Sequence, residues 1–231
     1  MFIHLHMDKV RDKVLTAAKE LFIMQGYKKT TILQIVERSG VLTGSIYHFF
    51  KNKEDIFKTI VLDLFDMGDR LVVDSLGEEM NPSLRSTILC MLELVAVELN
   101  DRICELYYEA YNSNIIFESM VTRGTEFAQT LFRDYNPSFT YDDYYVRVMA
   151  LKSVMRSFIT HRYLNRQKSL LSFAEVFIDM ILPTFNIERT EIDQVKSDVR
   201  GITNQLNEMA ANLINKQMAF MKNLDHDRTE K

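Results

Sequence analysis

Residues that interrupt helices are scarce in this chain. Three prolines and seven glycines serve 231 positions. Clean alternation of apolar and polar residues, the mark of a half-buried strand, is also hard to find. These absences point to an all-α fold. Two cysteines, Cys90 and Cys104, are too few for a disulfide framework. Both fall in apolar helical pattern and read as buried, reduced thiols of a cytoplasmic protein. No run approaches the ~18 apolar residues of a membrane span. The opening residues, MFIHLHMDK, lack a basic start and a long apolar core, so no signal peptide is expected. His4 and His6 are read as incidental.

Signatures of catalysis are missing too. There is no phosphate-binding glycine-rich loop, no nucleophile elbow, and no Cys or His pair at metal spacing. No catalytic residue, metal ligand or cofactor is therefore expected. Glu105 and Glu109 lie one helical turn apart, but a solvated or pocket-rim face is favoured over an acid–base pair. His161, beside Arg162, is read as a structural or interface histidine.

What the chain does have is apolar residues, 47% of the total, and length enough for one or two domains with a sizeable core. Its charge is uneven. Residues 1–60 carry ten Lys and Arg against six Asp and Glu, a balance of +4 in a chain of net −4, which leaves −8 for the rest. A mildly basic head on an acidic body suits contact with nucleic acid at one end only.

The most informative stretch is TTILQIVERSGVLTGSIYHFFKNK, residues 30–53. Thr31 and Gln34 stand at capping-box spacing. Ile32, Ile35 and Val36 give the following helix an apolar face. Ser39-Gly40-Val41 makes a turn, with Gly40 able to take the left-handed conformation that ends a helix. A second helix carries Ile46, Phe49 and Phe50 inward and leaves Thr43, Ser45, Tyr47 and His48 on other faces. This is the anatomy of a helix-turn-helix. Before it, Val10, Val14, Ala17, Ala18, Leu21 and Phe22 predict a helix over 8–25, and Tyr27 plugs the small core. After it, Asn52 and Asp55 open a helix over 53–74, with Ile56, Ile60, Leu64 and Leu71 inward. Further helices are expected over 83–100, 101–112, 114–135, 141–165, 169–182 and 188–223.

Across Gly26–Phe57 the chain resembles the TetR family of bacterial transcriptional regulators. The residues that carry the likeness are Gly26-Tyr27, Thr30-Thr31, Ile35-Val36, Gly40-Val41, Gly44, Ile46-Tyr47-His48-Phe49-Phe50 and Lys53. One position departs from the pattern. A serine that caps the recognition helix is customary after the Gly-Val turn, and here it is Leu42, which leaves Thr43 as the candidate cap one residue later. The resemblance implies a helix-turn-helix domain over 1–52, a connecting helix over 53–74, and a helical ligand-binding and dimerisation domain over 75–231.

Seven residues are candidates for DNA contact. Tyr47 and His48 are left outward once Ile46, Phe49 and Phe50 take the inward positions, and the family resemblance points the same way. Thr31 and Lys53 open helices, where a hydroxyl, backbone N–H groups and an ammonium can converge on a phosphate. Thr43 and Ser45 are short polar side chains placed to read bases. Gly44 lets the backbone approach closely.

The body is rich in Met, Phe and Tyr, most of it ordinary core. The resemblance implies an effector cavity there, and Leu94, Tyr108, Tyr111 and Phe127 are its candidate lining, suited to a small apolar or aromatic molecule. The expected function is a homodimeric, ligand-responsive repressor on a pseudo-palindromic double-stranded operator. The alternatives are a DNA-binding protein of the same fold without a small-molecule ligand and, less favoured, a helical enzyme. Near the C-terminus, Ile192, Val195, Val199, Ile202, Leu206, Met209 and Leu213 recur at steps of three and four, and Phe220 and Leu224 resume the pattern. That is coiled-coil spacing, and it leans toward packing on a partner subunit over packing on its own.

Overall fold

The computed structural model describes the backbone of residues 2–165 and 174–218, and side chains from Met7 onward. His4 and His6 as side chains, the predicted start of a helix at 169, and Phe220 and Leu224 lie outside that range. Among the described residues every regular element is helical. In order they are α1 (Phe2–Gln25), α2 (Ile32–Ser39), α3 (Thr43–Phe49), α4 (Lys53–Leu76), α5 (Pro82–Leu99), α6 (Asp101–Asn112), α7 (Asn114–Phe132), α8 (Tyr141–Asn165), α9 (Ala174–Ile181), α10 (Arg189–Gly201) and α11 (Thr203–Met218). A single 3-10 turn, Leu182–Phe185, follows α9.

Helices α1, α2 and α3 close on a small core with the first turns of α4. Val14, Ala18 and Phe22 of α1 are buried with Ile35, Ile46, Phe50, Ile56 and Phe57. Tyr27 stacks on Phe57 with ring centres 4.6 Å apart, and Phe22 meets both rings edge-on at 5.3 Å. The expected plug is thus in place, half-buried and not sealed. Asn52 caps α4 by accepting from the Asp55 N–H at 2.9 Å, and Asp55 accepts in return from the Lys51 N–H at 3.1 Å.

The larger body is organised around α5. Its residues Thr87–Leu92 and Leu94–Val97 are all buried, so burial extends round the helix, as it must where other helices wrap it. Gly68 of α4 lies against it. A Cβ there would come 3.1 Å from Leu89 Cδ1, and its absence lets the two helices close up. Arg85 of α5 grips Asp69 of α4 through two N–H groups, at 2.9 and 2.7 Å. Arg123 of α7 holds Asp66 of α4 at 2.6 Å. Exposed pairs of this kind contribute little individually. Their use here is to index α4 against α5 and α7.

The C-terminal stripe does not wait for a partner. Ile192, Val195, Val199, Leu206, Met209 and Leu213 are buried within their own chain, with α10 and α11 packed along α5. The lean toward a partner subunit is therefore overturned. Ala210 and Ile214 are buried beside the stripe, which broadens a narrow seam into an ordinary core face. The single long helix expected over 188–223 is also two, broken at Ile202 (φ −104°, ψ 12°) next to Gly201. Lys196, among the stripe's residues, is buried and bonded to Asp179 Oδ2 at 2.5 Å.

Because Leu206 is almost fully buried by its own chain, Leu206→Ala should cost about 2–5 kcal/mol of stability. Urea unfolding is the measurement. The loss should be the same at low and high protein concentration, whereas a leucine packed on a partner would make it vary.

Candidate nucleic-acid interface

The start of α2 is built by local hydrogen bonds. The Gln34 N–H donates to Thr31 Oγ1 at 3.3 Å, and the Thr31 N–H donates to Gln34 Oε1 at 2.9 Å. The capping box is complete. Gln25 Nε2, at the end of α1, adds bonds to Gln34 Oε1 (3.0 Å) and Thr30 Oγ1 (3.2 Å), and the Thr30 hydroxyl donates to the Gly26 carbonyl at 2.9 Å. Arg38 pairs with Glu20 and ties the other end of α2 to α1. Gly40 stops α2 at φ 64°, in the left-handed region, and its N–H reaches the Val36 carbonyl at 3.0 Å.

Helix α3 begins without a side-chain cap. Leu42 occupies the cap position, and no side chain accepts from the free N–H groups of the first turn. Thr43, expected as a cap, is the first residue inside the helix. Its backbone is already helical, which denies its hydroxyl the reach that an extended cap residue has. Ile46 is wholly buried, Phe50 nearly so, and Phe49 half-buried with His48 edge-on to it at 5.2 Å.

That inward anchoring leaves a defined outer face. Thr43, Gly44, Tyr47 and His48 are exposed together on α3, and Ser45 is half-exposed. Tyr47 keeps 54% of its surface and Leu42 79%. Thr31 is exposed at the start of α2, with its hydroxyl engaged by Gln34. Leu42 is the residue that sequence reasoning passed over. The signal was present, since a large apolar side chain at a cap position neither caps nor packs.

Lys53 has a second role. Its ammonium donates to the Tyr27 and Thr30 carbonyls at 2.8 and 2.7 Å and sits 4.2 Å from the centre of the Tyr27 ring. Burial lowers its pKa. Two of three protons are thus used to tie the start of α4 to the loop between α1 and α2. A lysine at a helix N-terminus faces an unfavourable dipole, and that was a hint that local partners hold it.

The four residues expected to line an effector cavity have differing surroundings. Leu94 is buried in α5. Tyr108 stacks on Tyr163 at 4.1 Å. Tyr111 is fully buried and bonded to Glu93 at 2.5 Å. Phe127 is edge-on to Phe65 at 5.5 Å and borders a small cavity. Glu109 pairs with Lys28 of the head at 2.8 Å and Glu105 with Arg102 at 2.9 Å, which accounts for both without acid–base chemistry. Among the described residues no cluster of three metal-ligating side chains occurs, and no helix is long and apolar enough to cross a membrane.

The short α2 and α3, the tight turn between them and the polar outer face of α3 define a helix-turn-helix protein of the DNA-binding kind. Residues 14–60 match the family described as bacterial regulatory proteins, tetR family. The HTH-type transcriptional repressor KstR2 of Mycolicibacterium smegmatis is 33% identical over 88 residues, 38% of this chain and 43% of that one. The HTH-type transcriptional regulator QacR of Staphylococcus aureus is 46% identical over 52 residues, 22% of this chain and 28% of that one. The matches thus span less than half the length of these relatives. Over the whole fold, a structure of RolR in complex with resorcinol superposes with a TM-score of 0.60 at 16% identity, covering 83% of this chain and 95% of that one. Residues 14–60 thus match the DNA-binding region of the tetR family of bacterial regulatory proteins, and the fold as a whole is like that of RolR.

Replacing the Lys53 ammonium by an apolar group leaves two carbonyls without their donor. Lys53→Met should therefore destabilise the head by about 1–3 kcal/mol. Thermal unfolding followed by circular dichroism checks this. An unchanged melting temperature would mean that the two bonds contribute nothing to the fold.

Proposed function

We propose that this protein is a homodimeric, ligand-responsive transcriptional repressor that binds a pseudo-palindromic operator through α3. The observation that carries the reading is the outer face of α3. Four residues with no packing role, Thr43, Gly44, Tyr47 and His48, stand exposed on one short helix whose other side is anchored by Ile46. A helix so presented fits the major groove, with its first residues toward base edges. Thr43 and Ser45 read bases, and Gly44 lets the backbone approach. Tyr47 and His48 contact the backbone or base edges. Thr31 and the remaining Lys53 proton hold flanking phosphates. Leu42, exposed at the tip, suits apolar contact with a thymine methyl group.

Two such heads need a dimer to reach successive grooves. Val146, Met149 and Leu164 of α8 and Val176 and Met180 of α9 are large apolar side chains left exposed. Val146 and Leu164 stand a whole number of turns apart and so share a face. This face supports pairing of α8 and α9 with their copies in a second subunit. An effector in the body would act through α4, whose first turn forms part of the head core. It must bind one arrangement of α4 better than the other, or nothing shifts. Repression is preferred to activation by likeness to the repressor KstR2.

The test is selection of binding sites from random duplex DNA, followed by gel-shift titration. Tyr47→Ala should weaken binding about equally across sequences. Thr43→Ala should relax base preference at one position of each half-site, by about 1–3 kcal/mol of discrimination. If both variants matched the parent in affinity and preference, the α3 assignment would be wrong.

A further inference from the structure

The centre of the body holds an ion pair for which DNA binding has no use. Lys152 of α8 and Glu93 of α5 meet at 3.1 Å, their side chains only 5% and 12% exposed. A lysine this deep needs a partner. A third group completes the set. The hydroxyl of Tyr111, on α6, donates to Glu93 Oε1 at 2.5 Å and accepts from Lys152 Nζ at 3.2 Å. Burial first, and then the charge of Glu93, push the Tyr111 pKa well above its ordinary range, so the group remains an O–H donor. The chain's own tyrosine therefore shows what this pair accepts, namely a neutral phenolic hydroxyl that gives one hydrogen bond and takes another.

The pair has a second side. Two small cavities, of about 30 and 20 Å³, are both bordered by Glu93, Lys152 and Phe65. One runs on past Leu89, Phe127 and Leu151, and the other past Val61 and Tyr107. Phe65 belongs to α4 and is only half-buried. Its ring borders both voids, and displacing it would join them. Lys152 has one proton beyond the two it gives to Glu93 and Tyr111, and a carboxylate keeps spare acceptor capacity. Charge narrows the choice of guest. Arg123 also borders one void but is already paired with Asp66 and Glu126; beyond it, a carboxylate guest meets Glu93 and an ammonium guest meets Lys152, each a like charge. A hydroxyl satisfies both groups and unbalances neither.

We propose that Glu93 and Lys152 form the recognition end of a binding site for a small hydroxylated aromatic molecule, a phenol, whose ring takes the space that opens when the Phe65 side chain swings aside. The proposal rests on the reading of the body as an effector domain and names the effector's chemical class. It also gives that domain a lever, because Phe65 sits next to Asp66 on the helix that carries the DNA-binding head.

The probes are p-cresol and p-xylene, which differ by a hydroxyl in place of a methyl group. Calorimetric titration of the full chain should show p-cresol binding at least about tenfold more tightly than p-xylene, since a site built around a hydroxyl rejects the analogue that lacks it. Phe65→Ala removes the ring that must move, whose centre lies 5.9 Å from Lys152 Nζ, and should strengthen p-cresol binding while leaving Glu93 and Lys152 in place. The double variant Glu93→Gln with Lys152→Met leaves no lone buried charge, so it should fold and lose the preference for p-cresol. Equal binding of the two probes, or no p-cresol binding by either the parent or Phe65→Ala, overturns the proposal. A gel shift without any probe keeps the two readings apart. Protein that binds an operator but not p-cresol refutes this site alone, and protein that binds p-cresol but no DNA retains it and refutes the regulator reading.

Discussion

Helix α4 runs from the head end of one continuous hydrophobic core to its body end. Its first turn buries Ile56 and Phe57 among Phe22, Tyr27 and Phe50, so it is part of the head. Further along, Val72 is buried and Gly68 lies against α5, so it is part of the body. A helix is stiff over this length, and close-packed interiors transmit displacement instead of absorbing it. Whatever shifts α4 in the body must therefore reach the head. The polar contacts follow the same division. Lys53 locks the upper end to the loop after α1, while Asp66 and Asp69 are held by Arg123 and Arg85 below. Two further bonds cross between the units, Lys28 to Glu109 and Glu54 to the Ser113 hydroxyl.

The body solves a separate problem, that of burying α5. A helix with buried residues on all its faces must be covered on every side, and α4, α6, α7, α8, α10 and α11 do so. This explains why the C-terminal stripe turns inward. The helix is interrupted at Ile202, and both α10 and α11 pack on α5. The ion pair of Glu93 and Lys152 lies at the heart of this packing and is a poor source of stability, because two buried charges lose their hydration. It lies beside two small voids and a half-buried phenylalanine, Phe65.

Much of the candidate interface was legible in the chain because its determinants are local. Thr31 with Gln34, Gly40 in its turn, and Asn52 with Asp55 act within four residues of one another. Each would act in much the same way in any fold that keeps its helix. The inward and outward sides of α3 also followed from spacing, since Ile46 and Phe50 leave Tyr47 and His48 no room inside. Leu42 shows the limit of this. Its failure to cap is a local fact, but its exposure depends on nothing else packing over it.

The sequence by itself determined the helical class, the helix-turn-helix and the family likeness of residues 14–60, because these rest on periodicity and on contacts between near neighbours. Only the tertiary structure decided which apolar stripes face which. The stripe from Ile192 to Leu213 is compatible with a partner or with α5, and the choice lies in α5 being uncovered, a fact about residues far away in the chain. The same holds for Lys53, whose carbonyl partners lie in a loop on the far side of the helix-turn-helix, and for Glu93 and Lys152, whose separation is 59 residues. No local pattern encodes such a meeting. It arises when α5, α6 and α8 pack together, and the physical reason is that burial, not sequence proximity, forces those charges to find one another.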